Sequence, residues 1–292
     1  MSSPRVWLIT GASTGFGLEM TRTALAHGDK VVATLRKPAV LADFASKYPS
    51  SQLLVVKLDV TNQQEIKEAF QKAKAAFGRV DVVFNNAGIV VSGETEGVPE
   101  ESARRMFETN FWGAVNVSLE AVRIFRDENK PQGGHLIQNT GSTGFISLPL
   151  MGFYGATKRA LEGITDTLHK EVSPKWNIKF TSIEPGAFPT ELGTNGEMIA
   201  QPQAYADPSM PTSLMRQAFA NPEAGSDALA FGFNDTAKAV QKVFELTRLA
   251  SPPLRLPLGR DAVKFLSDTA AEYLKVVEEY ASWSDNLAIE AK

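Results

Sequence analysis

Apolar residues fall along this chain in two alternating rhythms. Short runs of aliphatic and β-branched residues are followed by longer stretches whose apolar positions return every three or four residues. The runs are Val6-Trp7-Leu8-Ile9, Val31-Val32-Ala33-Thr34-Leu35, Leu53-Leu54-Val55-Val56, Val80-Asp81-Val82-Val83-Phe84, Leu136-Ile137-Gln138-Asn139 and Ile178 to Ile183. Continuous apolar runs of this length predict strands buried on both faces. Between them, Leu18, Ala24 and Leu25 mark one helix, and Ile66, Ala69, Phe70, Ala73 and Phe77 give a second one an apolar face. A long helix is predicted from about Pro99 to Asp127, ending before Pro131, Gly133 and Gly134. Leu161, Ile164, Leu168 and Val172 define a fourth, closed by Pro174, and another begins at about Thr236. Ala187 to Asp235 breaks the rhythm and is too long for a bare loop, so short helices are expected within it. Strand–helix alternation of this kind predicts an α/β fold, a doubly wound parallel sheet of about seven strands with helices on both faces. No repeat or linker divides the chain, which predicts one domain over residues 1–292.

Composition narrows the chemistry. Thirty lysines and arginines face 33 acids, a formal charge of -3, which gives no reason to expect nucleic acid as a partner. There are no cysteines, which excludes disulfides, thiolate metal sites and thiol nucleophiles. His27, His135 and His169 are scattered, so no metal is expected. The start of the chain shows no signal-peptide pattern, and no apolar stretch reaches the roughly 20 residues of a membrane span. A soluble, cytoplasmic protein without a membrane span is the expectation.

Candidate chemistry begins at Thr10-Gly11-Ala12-Ser13-Thr14-Gly15-Phe16-Gly17, between the first strand and the first helix. Glycines there let the backbone turn sharply and approach a pyrophosphate closely. The helix behind them offers free N–H groups and the positive end of its dipole. The turn predicts a dinucleotide site built on Gly11, Ser13, Gly15, Phe16 and Gly17. At the end of the second strand, Leu35-Arg36-Lys37 is followed by no carboxylate until Asp43. An acid there would bond a ribose 2′-OH, whereas a cation suits a 2′-phosphate. Arg36 therefore favours NADP(H) over NAD(H), the plain alternative being a solvated surface pair. Further on, Tyr154-Gly155-Ala156-Thr157-Lys158 sets a phenol and an ammonium four residues apart, on one face of a helix start. A free phenol titrates at about 10, and the lysine cation, with the positive nicotinamide ring of the oxidised cofactor, is expected to lower it toward the range useful for a proton carrier.

The TGxxxGxG turn followed by YxxxK resembles the single-domain division of the short-chain dehydrogenase/reductase superfamily, from Val6 to about Val263. The resemblance implies a Rossmann-type fold and further site residues. Leu58-Asp59-Val60 matches the segment whose Asp contacts the adenine, and Asn85-Asn86-Ala87-Gly88 the turn beneath the adenine ribose. Pro185-Gly186-Ala187-Phe188-Pro189-Thr190 matches the segment that meets the nicotinamide carboxamide, with Thr190 hydrogen-bonding it. The implied catalytic set is Asn110, Ser142, Tyr154 and Lys158. Tyr154 exchanges the proton, Lys158 also holds the nicotinamide ribose, and Ser142 polarises the substrate oxygen. The main-chain carbonyl of Asn110 holds a relay water; the plain alternative is a residue that only interrupts the long helix. Twelve positions separate Ser142 from Tyr154, one fewer than is common in the family, so Thr140 and Thr143 stand as alternative hydroxyls.

The same resemblance makes residues 187–235 a substrate lid. With Phe145, Ile146, Leu148, Leu150, Met151 and Phe153, its Phe188, Leu192, Met198, Met210, Leu214, Met215 and Phe219 would line an apolar cleft for a lipophilic carbonyl or alcohol, or else simply pack the lid. Pro252 to Gly259 reads as a closing strand like that of relatives of the hydroxysteroid and retinol dehydrogenases. Pairing through the two long helices, as a homodimer or homotetramer, is implied as well. The leading reading is an NADP(H)-dependent oxidoreductase acting on a lipophilic secondary alcohol/ketone pair. A non-catalytic NADP(H)-binding sensor is the alternative, though such relatives lose the tyrosine or lysine kept here. An epimerase or dehydratase would carry a different glycine spacing.

Overall fold

The computed structural model describes residues 3–190, 196–220 and 233–289. Its strands are β1 (Val6–Thr10), β2 (Lys30–Leu35), β3 (Leu53–Lys57), β4 (Val82–Asn85), β5 (Val91–Ser92), β6 (Gly134–Asn139), β7 (Ile178–Pro185), β8 (Glu197–Met198) and β9 (Arg255–Leu258). Seven of them form one parallel sheet in the order β3-β2-β1-β4-β6-β7-β9. The helices are α1 (Gly15–Ala26), α2 (Ala42–Ala45), α3 (Gln63–Phe77), α4 (Glu100–Phe107), α5 (Ala114–Arg123), α6 (Gly152–Glu171), α7 (Pro211–Ala220), α8 (Thr236–Leu246) and α9 (Arg260–Glu279).

All five residues of β1 are buried, as a central parallel strand requires. Its pleat divides the interior in two. Trp7 and Ile9 point into a core with Phe16, Met20, Phe84, Val240 and Phe244, which brings α1 and α8 onto one face. Leu8 points into a second core with Ile66, Phe70, Val83, Val117 and Phe125, which brings α3 and α5 onto the other. α3 starts where the Asn62 side chain accepts from the amides of Gln64 and Glu65, and stops at Gly78 in the left-handed region (φ 84°). The strand order reverses between β1 and β4, so a crevice opens at their C-terminal ends. Ligands of open α/β sheets bind at such a switch point.

The long helix predicted from Pro99 to Asp127 is α4 and α5 joined through a π-helical turn, Glu108–Gly113, with a second such turn at Ile124–Glu128. Asn110 therefore widens the helix and does not break it. β4 begins at Val82, later than predicted, although the Asp81 amide already donates to the carbonyl of Val6 and its carbonyl accepts from the amide of His135. β7 runs two residues past Ile183 and carries Glu184 and Pro185 to the crevice.

The described part of 187–235 holds a 3-10 turn, Gln203–Tyr205, and α7; Leu192 lies outside the described residues. β8 pairs with β5, and the Arg216 guanidinium of α7 grips the Glu94 carboxylate, whose side chain is 1% exposed. That pair ties the segment to the turn after β5. Sequence reasoning did not foresee α9. Only Asp261 and Ala262 of it are buried, so most of its apolar residues are not arranged against a core of this chain. No helix among the described residues is long and apolar enough to cross a membrane.

Candidate active site

The glycine turn closes on itself at the mouth of the crevice. Gly11 and Gly15 both have positive φ (65° and 51°). A Cβ on Gly17 would overlap the carbonyl oxygen of Gly11, so only glycine lets α1 start this close to β1. Thr14 precedes α1 without a side-chain cap, which leaves the first-turn amides of Gly15, Phe16 and Gly17 for a ligand. Ser13, half-buried, lies on the same bend.

Asn86 locks the turn from below. Its Nδ2 donates to the carbonyl of Thr10 at 3.1 Å, and its Oδ1 accepts from Asn139 Nδ2 at 2.9 Å. The Thr10 hydroxyl accepts from the amides of Asn86 (2.9 Å) and Ala87 (3.0 Å). Asn139 then presents its carbonyl to Lys158 Nζ at 2.8 Å. One hydrogen-bonded chain thus links the ends of β1, β4 and β6 to α6. Thr10 and Asn139, which sequence reasoning gave no role, are its joints; a polar residue ending each apolar run was their only signal.

Arg36 and Lys37 are exposed at the end of β2, and Arg36 makes no ion pair among the described residues. Asp59, half-buried at the end of β3, lies close enough to feel the Arg36 charge. Burial alone would push its carboxyl up, but hydrogen bonds from Thr61 and the charges of Arg36 and Lys57 leave it below the usual range. Val60 beside it is buried against Gly113, where a Cβ would stand 2.8 Å from Val60 Cγ2.

Tyr154 and Lys158 share the buried face of α6, 8% and 5% exposed, with Lys158 Nζ 5.6 Å from the phenol ring centroid. Space beside the ammonium is left by Gly88, where a Cβ would come 3.7 Å from Nζ and 3.3 Å from Asn110 Oδ1. Asn110 is fully buried; its side chain accepts from the amide of Ile89 and donates to the carbonyl of Ile89, both at 2.8 Å. It also donates to the Thr157 hydroxyl at 3.3 Å. These bonds fix the π turn against α6, where its main-chain carbonyls leave the regular helical ladder.

Across the crevice, Gly141 (φ 72°) turns its Cα toward the phenol; a Cβ there would lie 3.9 Å from the Tyr154 oxygen. Ser142 follows, buried in the 3-10 turn Ser142–Gly144. Of the alternative hydroxyls, Thr140 is spent within the sheet, donating to the carbonyl of Ile183 at 3.0 Å. The Thr143 hydroxyl is buried and has no partner among the described residues.

Electrostatics here depart from the sequence expectation. Burial pushes the Tyr154 phenol up to about 12 and Lys158 down to about 8, the latter opposed by the Glu162 charge. In the protein alone, loss of water outweighs the pull of the lysine, because neither group has solvent to stabilise its charge.

The third wall is the Pro185-Gly186-Ala187 segment, held by residues that sequence reasoning missed. Asp261, at the start of α9, accepts from the amide of Ala187 at 2.6 Å, and a Cβ on Gly186 would overlap its carboxylate. Asn234 donates to Asp261 at 2.8 Å and to the carbonyl of Ala187 at 3.0 Å. Phe188 then packs edge-on against Phe16 at 5.0 Å, joining this wall to the glycine turn; Thr190, half-buried, follows. Asp261→Ala leaves buried polar groups unpaired and is expected to cost about 2 kcal/mol. Thermal unfolding followed by circular dichroism would show it as a lower Tm, and an unchanged Tm would mean the anchor contributes nothing.

The glycine cradle, the free amides of α1 and the missing side chain at Gly88 suit a dinucleotide, and no group of three metal-ligating side chains occurs among the described residues. Comparison with known proteins points the same way. The family model for short chain dehydrogenase matches residues 5–198. The oxidoreductase calM of Penicillium decumbens is 35% identical over 289 residues, 97% of this chain and 93% of that protein. The 3-ketodihydrosphingosine reductase of Bacteroides thetaiotaomicron is 35% identical over 207 residues, 70% of this chain and 72% of its own. Among solved structures, a short-chain dehydrogenase from Streptomyces avermitilis superposes with a TM-score of 0.85 at 31% identity, over 99% of this chain and 100% of its own. A crevice at the switch point of a Rossmann-type sheet, entered by a glycine turn and floored by a buried tyrosine–lysine pair, thus has a family: the chain is an oxidoreductase belonging to the short-chain dehydrogenases.

Proposed function

We propose that this oxidoreductase uses NADP(H) to interconvert a lipophilic secondary alcohol and its ketone, in a single-domain chain whose 187–235 segment covers the substrate. The observation that carries the reading is the Tyr154 hydroxyl, buried opposite the Gly141-Ser142 turn with Lys158 tethered one helical turn behind it. When bound, the cofactor supplies or accepts the hydride. In reduction Tyr154 gives its proton to the developing alkoxide, and in oxidation it takes one back. Ser142 donates a hydrogen bond to the same oxygen, where charge develops in the transition state. Lys158 holds the nicotinamide ribose, and the main chain at Asn110 holds a water that refills the proton through the lysine. Gly11, Ser13, Gly15, Phe16 and Gly17 would hold the pyrophosphate, Asn86, Ala87 and Gly88 the adenine ribose, and Asp59 and Val60 the adenine. Pro185, Gly186 and Thr190 would meet the carboxamide.

Support for the phosphate preference comes from Arg36, an exposed cation just after β2 that forms no ion pair among the described residues. Support for a lipophilic substrate comes from the apolar 145–153 wall, and the Bacteroides relative is named a 3-ketodihydrosphingosine reductase. The test is NADPH consumption across a panel of lipophilic ketones and aldehydes, with NADH in parallel. Turnover with NADPH is expected, and Arg36→Ala should raise its KM about tenfold while leaving that of NADH alone. Equal use of both cofactors by the unaltered protein would sink the preference.

Trp112 and Leu119, about half exposed (52% and 50%) on the α4–α5 helix, support pairing of two copies along it. Sedimentation is expected to give a dimer or tetramer; a monomer at micromolar concentration removes that part of the reading.

A further inference from the structure

Behind Lys158 lies a knot of charge that the roles above do not use. Glu162 stands one helical turn beyond Lys158 on the same face of α6, and Asp166 one turn beyond that. Helical side chains lean toward the N-terminus, so the Glu162 carboxylate reaches back over the turn that carries the lysine. β7 adds Glu184, the residue before Pro185, and β9 adds Arg255. The Arg255 guanidinium spans all three acids, donating to Glu162 Oε2 at 2.5 Å, Asp166 Oδ2 at 2.8 Å and Glu184 Oε1 at 2.9 Å. The Glu162 and Glu184 side chains are 3% and 1% exposed.

One guanidinium faces three carboxylates, so negative charge is in excess, and Lys158 is the buried cation next along the helix. On its other side Glu162 supports the serine turn. A Cβ on Gly144 would overlap Glu162 Oε1, and that oxygen has no hydrogen-bond partner among the described residues. Among the described residues the phenol of Tyr154 and the carbonyl of Asn139 also stand beside Lys158, and Asn110 Oδ1 flanks the same space at Gly88. Arg159, on the same helix, is engaged by the carbonyls of Gly144 and Phe145.

We propose that Glu162 is a positioning residue for the Tyr154–Lys158 pair: clamped by Arg255 against Glu184, its carboxylate keeps the Lys158 ammonium charged and in place and supports the Ser142–Gly144 turn from beneath. The single guanidinium also joins the three walls of the crevice, since α6 carries the tyrosine and lysine, β7 leads into the Pro185 turn, and Glu162 touches the serine turn. Burial drives Lys158 toward the neutral amine, and a carboxylate one turn away is the charge that opposes it.

The inference rests on the reading of Lys158 as part of the redox site, but its test needs no turnover. Protein labelled with 13C at lysine Cε is titrated by NMR, the Lys158 signal being assigned with Lys158→Met. The wild-type midpoint is expected at about 8. Glu162→Gln keeps the shape and removes the charge, and should lower the midpoint by about one pH unit, a tenfold weaker hold on the proton. Glu162→Asp, which restores the charge, should recover at least half of that shift. Arg255→Gln removes the neutralising cation and should move the midpoint the other way, upward; it decides the question alone if Glu162→Gln fails to fold. A midpoint unmoved in both, or lowered in both, overturns the proposal, since loss of packing alone would not give opposite signs. If Tyr154→Phe abolishes turnover while the midpoints stay still, only the role of Glu162 falls. If the midpoints move and Tyr154→Phe still turns over, the proton-carrier reading falls and Glu162 keeps its place beside Lys158.

Discussion

Tyr154→Phe is expected to lower kcat for ketone reduction by about a thousandfold while leaving NADPH affinity within about twofold. The phenyl ring would keep its packing among Val90, Val91 and Met106, so the variant removes a hydroxyl without opening a cavity. Burial holds the phenol at about 12, so at neutral pH the group carries its proton and is ready to donate it. The same burial makes the phenolate scarce, which predicts that alcohol oxidation climbs with pH across the neutral range while reduction changes little. Stopped-flow or steady-state NADPH oxidation, with cofactor binding read separately by fluorescence titration, checks both halves. Undiminished turnover by the phenylalanine variant would remove Tyr154 from the chemistry.

Glu184→Gln is expected to make the protein more stable at pH 8.5 and to leave stability at pH 4.5 nearly unchanged. Burial first, then the neighbouring Glu162, pushes the Glu184 carboxyl up to about 7 from an ordinary value of 4.5, against the pull of Arg255. Between those values the folded chain binds a proton that the unfolded chain releases. Stability therefore falls as pH rises: the contribution is whole below about 4.5 and gone once the pH has passed through about 7. At 1.36 kcal/mol per unit, the loss is about 3 kcal/mol. Glutamine stays neutral at both ends and still accepts from Arg255, so it is spared that loss. Urea unfolding of both proteins at the two pH values reads the difference. A gap that fails to open between pH 4.5 and 8.5 would mean that Glu184 titrates as an ordinary carboxyl.

Much of the architecture was legible because its signals are local. Apolar runs such as Val6 to Ile9 can be satisfied only by burial on both faces, and the glycines before α1 are demanded by the backbone itself, through positive φ at Gly11 and Gly15 and the close contact at Gly17. The tyrosine–lysine spacing likewise fixes a shared helix face at any place in a fold. Less legible were partners chosen across long stretches of chain. Asp261 lies 74 residues from the Ala187 amide it holds, and Arg255 lies 93 from Glu162. Neither has a periodic or spaced pattern, because each serves a single contact. α9 also went unforeseen, although its apolar residues recur at helical spacing; in this chain most of them are exposed.

The sign of the electrostatics shows where sequence reading ends. Spacing alone puts an ammonium near a phenol and so predicts a lowered phenol, yet the fold takes both out of water, and desolvation, which no spacing records, raises the one and lowers the other. The fold also narrowed the hydroxyls, turning Thr140 into the sheet and leaving Ser142 and Thr143 together in the turn after Gly141. By itself, then, the sequence determined the parallel sheet, the nucleotide turn and the tyrosine–lysine face, because each follows from the conformational limits and periodicity of neighbouring residues. Only the tertiary structure decided which distant side chains brace that site and what charge its groups carry, because burial and long-range contact exist only once the chain has closed on itself.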